Sequence, residues 1–189
     1  MKSIFPLRSL RLCILGASWF LLFSSATAQV PRAADVVAPE AYVSLAPVPR
    51  GRAVELAVVA RIRSGFHINS HKPTDEYLIP TALSADLPPG LRLLDTVYPP
   101  GQIRKFKFAP DGLSVYENGV TLRMKLEAAA DAPLGQRKVP LLLHYQACND
   151  EVCLPPVKLP LTAEIEIAPA GAAAQPQHPE IFSAPAAKQ

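Results

Sequence analysis

Cys148 and Cys153 are the residues with the most chemistry to offer. They sit in Tyr145-Gln146-Ala147-Cys148-Asn149-Asp150-Glu151-Val152-Cys153-Leu154-Pro155-Pro156, with four residues between them. In an exported chain such a pair reads as a disulfide. A bridge that staples a sandwich joins two sheets and closes a loop of dozens of residues. This one closes a short loop, which by chain entropy contributes about 2 kcal/mol, near the low end for a disulfide. It falls between a strand ending near Tyr145 and another starting near Val157, at a sheet edge or loop. Exchange needs that access, because an incoming thiolate approaches along the S–S axis. Spacing alone leaves two uses open, redox exchange and a structural bridge. Asp150 and Glu151 lie between the cysteines and no helix N-terminus is at hand. Both facts hold a thiol near or above its free pKa of about 8.5, which suits a relay that needs a partner better than a promiscuous oxidant.

Other chemistry is thinly supported. His67 and His71 read as H-x3-H, and two cysteines would complete a Cys2His2 zinc set. Gly65 and Pro73 flank the pair and disfavour a helix, and residues four apart on a strand lie about 13 Å apart. The two are read as surface imidazoles, and no metal or other cofactor is expected. His144 alternates away from Leu143 and Tyr145, so it is expected to face solvent. Serines such as Ser114 lack a nucleophile-elbow context, and no glycine-rich phosphate loop or nucleotide fingerprint occurs. Phe106 and Phe108 read as core residues. The net charge is only +3, with basic residues scattered along the chain, so nucleic acid is not an expected partner.

The elements that must hold the cysteines are strands. The chain has 189 residues, 49% of them apolar, with 21 prolines and 9 glycines; that proline load excludes a helical bundle. Val54, Leu56, Val58, Ala60 and Ile62 alternate with more polar neighbours. So do Val120, Leu122, Met124 and Leu126; Val139, Leu141, Leu143 and Tyr145; and Val157, Leu159, Leu161, Ala163, Ile165 and Ile167. A period of two with one apolar face marks antiparallel sheets. Shorter strands are expected at Tyr42 to Val48, Phe66 to Asn69, Leu91 to Val97 and Ile103 to Phe108, with a turn at Asn118-Gly119. The fold class is all-β, a two-sheet antiparallel sandwich.

The ends differ in kind. Lys2, Arg8 and Arg11 precede the apolar run Cys13 to Phe23, and Ala26-Thr27-Ala28 offers a cleavage site. This is the pattern of a secretory signal peptide over residues 1–28, cleaved after Ala28 and taking Cys13 with it. The apolar run is about 11 residues, short of the roughly 20 that span a bilayer. Residues 29–40 read as a flexible lead-in, 41–167 as the folded domain and 168–189 as a disordered Ala/Pro-rich tail.

The segment YQACNDEVCLPP resembles the active-site segment of the N-terminal periplasmic domain of the thiol:disulfide interchange protein DsbD. Gly65-Phe66-His67-Ile68-Asn69, Tyr77-Leu78-Ile79-Pro80-Thr81, Leu87-Pro88-Pro89-Gly90 and Val97-Tyr98-Pro99-Pro100-Gly101 follow in the order that family shows. The resemblance covers roughly Ala41 to Ile167. It implies an immunoglobulin-like sandwich with a reversible disulfide, a protein-disulfide reductase component of the periplasm. Cys153 would be the nucleophile and Cys148 the resolving thiol, with Tyr145, Gln146, Asp150 and Glu151 near the site. A cap loop would shield the pair from the position Asp95 to Gly101, with Tyr98 or Val97 as the covering side chain. Implied partners are thioredoxin-like periplasmic proteins, among them disulfide isomerases and cytochrome c maturation factors. Electrons would come from a separate membrane conductor, since this chain carries neither that part nor a thioredoxin-like domain; a monomer is expected. The four-residue insert is shorter than in the best-known members. The competing reading is a non-catalytic exported immunoglobulin-like interaction domain with a structural disulfide.

Overall fold

The structure, a computed structural model, describes residues 31–183. The expected signal peptide therefore lies outside the described residues. The strands are β1 (Val37–Val43), β2 (Leu45–Ala46), β3 (Val48–Pro49), β4 (Ala53–Ile62), β5 (His67–Asn69), β6 (Ala82–Ala85) and β7 (Leu91–Val97). They continue with β8 (Gln102–Phe106), β9 (Ala109–Glu117), β10 (Gly119–Ala128), β11 (Gly135–Tyr145), β12 (Ala147–Cys148), β13 (Val157–Ala168) and β14 (Gln175–Pro176). A helical turn, α1, closes the described chain at Pro179–Phe182. The protein is all-β, an immunoglobulin-like sandwich built from antiparallel ladders, with one short parallel pairing between β13 and β3.

Two sheets make the sandwich, one in the order β1-β4-β10-β7 and the other β3-β13-β11-β6. The period-two faces meet in register. Leu56 lies opposite Met124, and Val58 opposite Leu122, between β4 and β10. Val139 lies opposite Ala163, and Leu141 opposite Leu161, between β11 and β13. The inward residues of both sheets join one buried cluster, in which Leu56, Val58, Leu122, Val139 and Leu143 are fully covered. Burial of apolar faces is the main stabilising term of such a fold.

A third sheet, in the order β12-β5-β9-β8, carries the cysteine end of β12. Its strand β9 was not among the expected strands, and it contains the turn-forming residues Pro110, Asp111 and Gly112. Gly112 takes a φ of +95° there, and the β8–β9 register shifts between Arg104 and Phe106, so a bulge absorbs the turn-like residues. The strand expected to run to Phe108 accordingly stops at Phe106. The chain does turn at Asn118, with a φ of 62°, but β9 and β10 belong to different sheets, so the turn is a crossing and not a hairpin. Gly101 seats β8: a Cβ there would lie 2.2 Å from Ser114 Oγ and 2.6 Å from Ser70 Cβ.

Both domain ends extend past the expected limits. Val36 and Val37 are 1% and 3% exposed, and β1 pairs with β4 from Val37 opposite Ile62, so ordered structure begins before Ala41. After Ala168 the chain does not fall away: β14 pairs with β2, and α1 lies on the outer side of the first sheet. Arg123 on β10 donates to the Ile181 carbonyl and sits 5.8 Å from the Phe182 ring centroid. Ile181 and Phe182, the large apolar residues of a polar tail, are the two that dock.

Candidate functional site

The site is built where β11 gives way to β12. Ala147 pairs with Ile68 and Cys148 with His67 on β5, after which four residues loop back to Cys153. Asn149 organises that loop. Its N–H donates to the Val152 carbonyl at 3.0 Å, and its Oδ1 accepts from the N–H of Glu151 at 2.9 Å and of Val152 at 2.7 Å. An asparagine that replaces backbone partners in this way fixes a tight turn. The loop is closed behind the cysteines by Leu154, whose N–H donates to the Ala147 carbonyl at 2.8 Å and whose side chain is buried. Pro155 and Pro156 then lead out without N–H groups to satisfy.

The two sulfurs are bonded at 2.03 Å, but their residues occupy different worlds. Cys148 is 1% exposed, against the core; Cys153 is exposed. A groove beside Cys153 is lined by Lys107, Phe108, Asp150, Glu151 and Val152. Phe108 and Val152 are 52% and 40% exposed, so the rim offers apolar surface flanked by two carboxylates and one ammonium.

A family model for the N-terminal part of thiol:disulfide interchange protein DsbD matches residues 33–163. The chain belongs to this family. Among solved structures, it is similar to the reduced DsbD N-terminal domain of Neisseria meningitidis at 18% identity and a TM-score of 0.44, over 78% of this chain and 94% of that one. The N-terminal periplasmic domain of ScsB from Proteus mirabilis matches at 12% identity and a TM-score of 0.46, over 70% of this chain and 47% of that one. A third match, at 19% identity and a TM-score of 0.40, comes from a complex of the DsbD and PilB N-terminal domains of Neisseria meningitidis, over 65% of this chain and 80% of that one. No curated protein sequence matches the chain.

Within this DsbD-type domain the expected site residues separate. Asp150 and Glu151 border the groove with Cys153. Gln146 braces the loop from behind, its Nε2 donating to the Leu154 carbonyl at 3.4 Å. Tyr145 is wholly buried and donates to the Ala33 carbonyl at 2.8 Å; burial pushes its hydroxyl pKa up to about 12, so it serves the core. Asp95, Val97 and Tyr98, expected as the cap, do not line the groove. Tyr98 stacks on His71 at 3.5 Å and shares hydrogen bonds with Leu83, which fixes it elsewhere. The aromatic beside Cys153 is Phe108, from the β8–β9 turn, which corrects its reading as a core residue.

His67 is the residue that sequence reasoning missed. Far from lying on the surface, it is 2% exposed and stacked on Phe106 at 4.3 Å between ring centroids. The signal was its place between the apolar Phe66 and Ile68, but β5 buries both its faces, so alternation could not assign it. Burial lowers its pKa, opposed by the charges of Glu117 and Asp150. His71 is only half-buried, with Nδ1 3.0 Å from the Thr81 carbonyl oxygen. His144, half-buried on β11 opposite Lys158, does alternate away from Leu143 and Tyr145.

Proposed function

We propose that the domain is a periplasmic thiol:disulfide exchange module that relays electrons between thioredoxin-like proteins through the reversible Cys148–Cys153 disulfide. The observation that carries this reading is the asymmetry of the pair, with Cys153 exposed and Cys148 covered. A donor's thiolate can reach only the outer sulfur. It attacks Cys153 Sγ, and Cys148 leaves as a thiolate that then takes up a proton; the donor's second cysteine attacks the donor sulfur bound to Cys153 and frees Cys153 as a thiolate. The reduced domain passes the electrons on when the Cys153 thiolate attacks an acceptor's disulfide and Cys148 resolves the mixed disulfide. Attack and leaving roles set by access and burial are how exchange proteins avoid indiscriminate reaction.

Phe108 and Val152 supply the apolar centre for docking, and Asp150 and Glu151 favour a partner whose rim is basic. The Phe106–Ala109 turn, at the entrance to the groove, is the shielding element in this reading. Export by the N-terminal signal, supply from a separate membrane conductor, and delivery to disulfide isomerases or cytochrome c maturation factors complete the proposed role.

Trapping tests it. Cys148→Ser should accumulate mixed disulfides through Cys153 with thioredoxin-like proteins, whereas Cys153→Ser should trap none and lose exchange altogether. A bridge that stays oxidised at potentials well below about −300 mV belongs with structural disulfides, and that result would sink the relay.

A further inference from the structure

The edge sheet sets three reactive side chains in one row. Cys148 on β12 lies opposite His67 on β5, and His67 lies opposite Glu117 on β9. Directly opposed residues of an antiparallel ladder send their side chains to the same face, with Cβ atoms about 4.5–5.5 Å apart. Arg104 on β8 holds the far end, its Nε 2.7 Å from Glu117 Oε2, and Phe106 lies over the imidazole. Among the described residues, the Nε2 of His67 is one of two buried side-chain atoms without a hydrogen-bond partner, the other being Asn69 Oδ1.

An orphaned ring nitrogen in the interior is costly, and its neighbour explains it. In the disulfide, neither sulfur carries a proton to donate. Reduction gives Cys148 an S–H inside the same covered row. That thiol has no helix N-terminus beside it, and burial in apolar surroundings opposes its ionisation. A group must take its proton before it can resolve a mixed disulfide.

We propose that His67 is that group, the proton acceptor of the buried thiol, held in place by Phe106 and backed by Glu117. The inference rests on the exchange reading above. In the reduced domain the Cys153 thiolate attacks one sulfur of an acceptor's disulfide, and the other sulfur leaves as a thiolate. Cys148 gives its proton to His67 and attacks Cys153 Sγ. The intermolecular S–S bond breaks, and its electron pair leaves on the acceptor's sulfur. The imidazolium returns its proton to that thiolate or to water. The acceptor gains two electrons and the domain is left as the disulfide. The charges facing the imidazole are Glu117 from β9 and Asp150 from the cysteine loop, with Arg104 paired to Glu117; Lys107 lines the groove at Cys153.

The test uses the reduced mature chain from Gln29 onward, which leaves out Cys13, and the aromatic disulfide 5,5′-dithiobis(2-nitrobenzoate), followed by release of the coloured thiolate from pH 5 to 9. The first release reports attack by Cys153, the second resolution by Cys148. In the wild type the second rate should fall below about pH 6.5 and be level by neutrality, following the imidazole. His67→Phe keeps an aromatic ring against Phe106 and removes the nitrogens. It should slow the second release about 100-fold at pH 7, the ordinary size of a lost general base. Its rate should then climb about tenfold per pH unit towards the free-thiol range near 8.5, while the first release stays within about threefold of wild type. His67→Gln replaces it if the phenylalanine variant loses its circular dichroism spectrum. A second release unchanged in rate and pH profile overturns the proposal. So does a wild-type rate that keeps rising beyond pH 8, which needs no variant. If the reduced wild type shows no first release, the exchange reading itself has failed.

Discussion

The sandwich and the edge sheet are made of similar strands but resolve their polar groups in opposite ways. Along β4 and β10 the buried row is apolar and in register, Val54 to Ile62 against Val120 to Leu126, and charge is kept to the outer side. Along β5 every residue is buried, two of the three are polar, and each of those keeps a side-chain atom unpartnered. Unsatisfied buried polar atoms are rare in proteins and call for an explanation. The difference teaches where stability and reactivity are kept. One region is optimised for packing, and the other tolerates imperfect packing beside the sulfurs.

Substitutions can break that comparison, beginning with the largest effect. Leu122 is fully buried and opposite Val58, so Leu122→Ala should cost about 2–5 kcal/mol, the lost transfer energy plus the cavity. Chemical denaturation should show a lower midpoint, while exchange at Cys153 in the folded fraction stays at its wild-type rate. A variant that lost exchange without losing stability would mean the core and the site are coupled. The paired change Cys148→Ser/Cys153→Ser should show the reverse. Exchange vanishes, and stability falls by only about 2 kcal/mol, because the closed loop is short. A loss well above that would place the bridge among the staples of the fold.

The same contrast decides what could be read in the residues beforehand. Long strands were legible because one face meets a core and the other water, so β4, β10, β11 and β13 announce themselves by period. Leu91 to Val97 was found with the bounds it has. The edge sheet was less legible. β5 is three residues long and covered on both faces, which erases alternation, and β9 hides Pro110-Asp111-Gly112 inside a bulge. The cysteines, Asp150 and Glu151 were legible from spacing, since a short loop holds them together whatever the rest does. Phe108 and His67 were not, because their nearness to the sulfurs comes from β5 pairing with β12 and from the β8–β9 turn reaching the groove, neither of which a local pattern records. The same limit applies to Asp95, Val97 and Tyr98, which a resemblance assigned to a cap and which do not line the groove at Cys153. The docked C-terminal segment was missed because two apolar residues suffice to anchor it once Arg123 offers a carbonyl partner and a cation for the ring.

The smallest expected effect is a pH dependence of stability carried by His67. Burial holds its folded-state pKa below the value of about 6.5 that it takes in the unfolded chain. Between those two values the unfolded state binds more protons than the folded one, so stability rises with pH there. Acidification from pH 7 should therefore leave the domain unchanged until about 6.5, then destabilise it progressively down through the lowered folded value. Glu117 and Asp150 oppose the shift, so the loss should be modest, and Glu117→Gln should deepen it by removing a charge that favours the imidazolium. His67→Phe should flatten the dependence over the same range, since phenylalanine takes up no proton in either state. Denaturation midpoints measured at intervals from pH 7.5 to 5 check this directly. An identical slope in wild type and His67→Phe would show that other groups carry the acid sensitivity, and that the imidazole is no harder to charge in the fold than outside it.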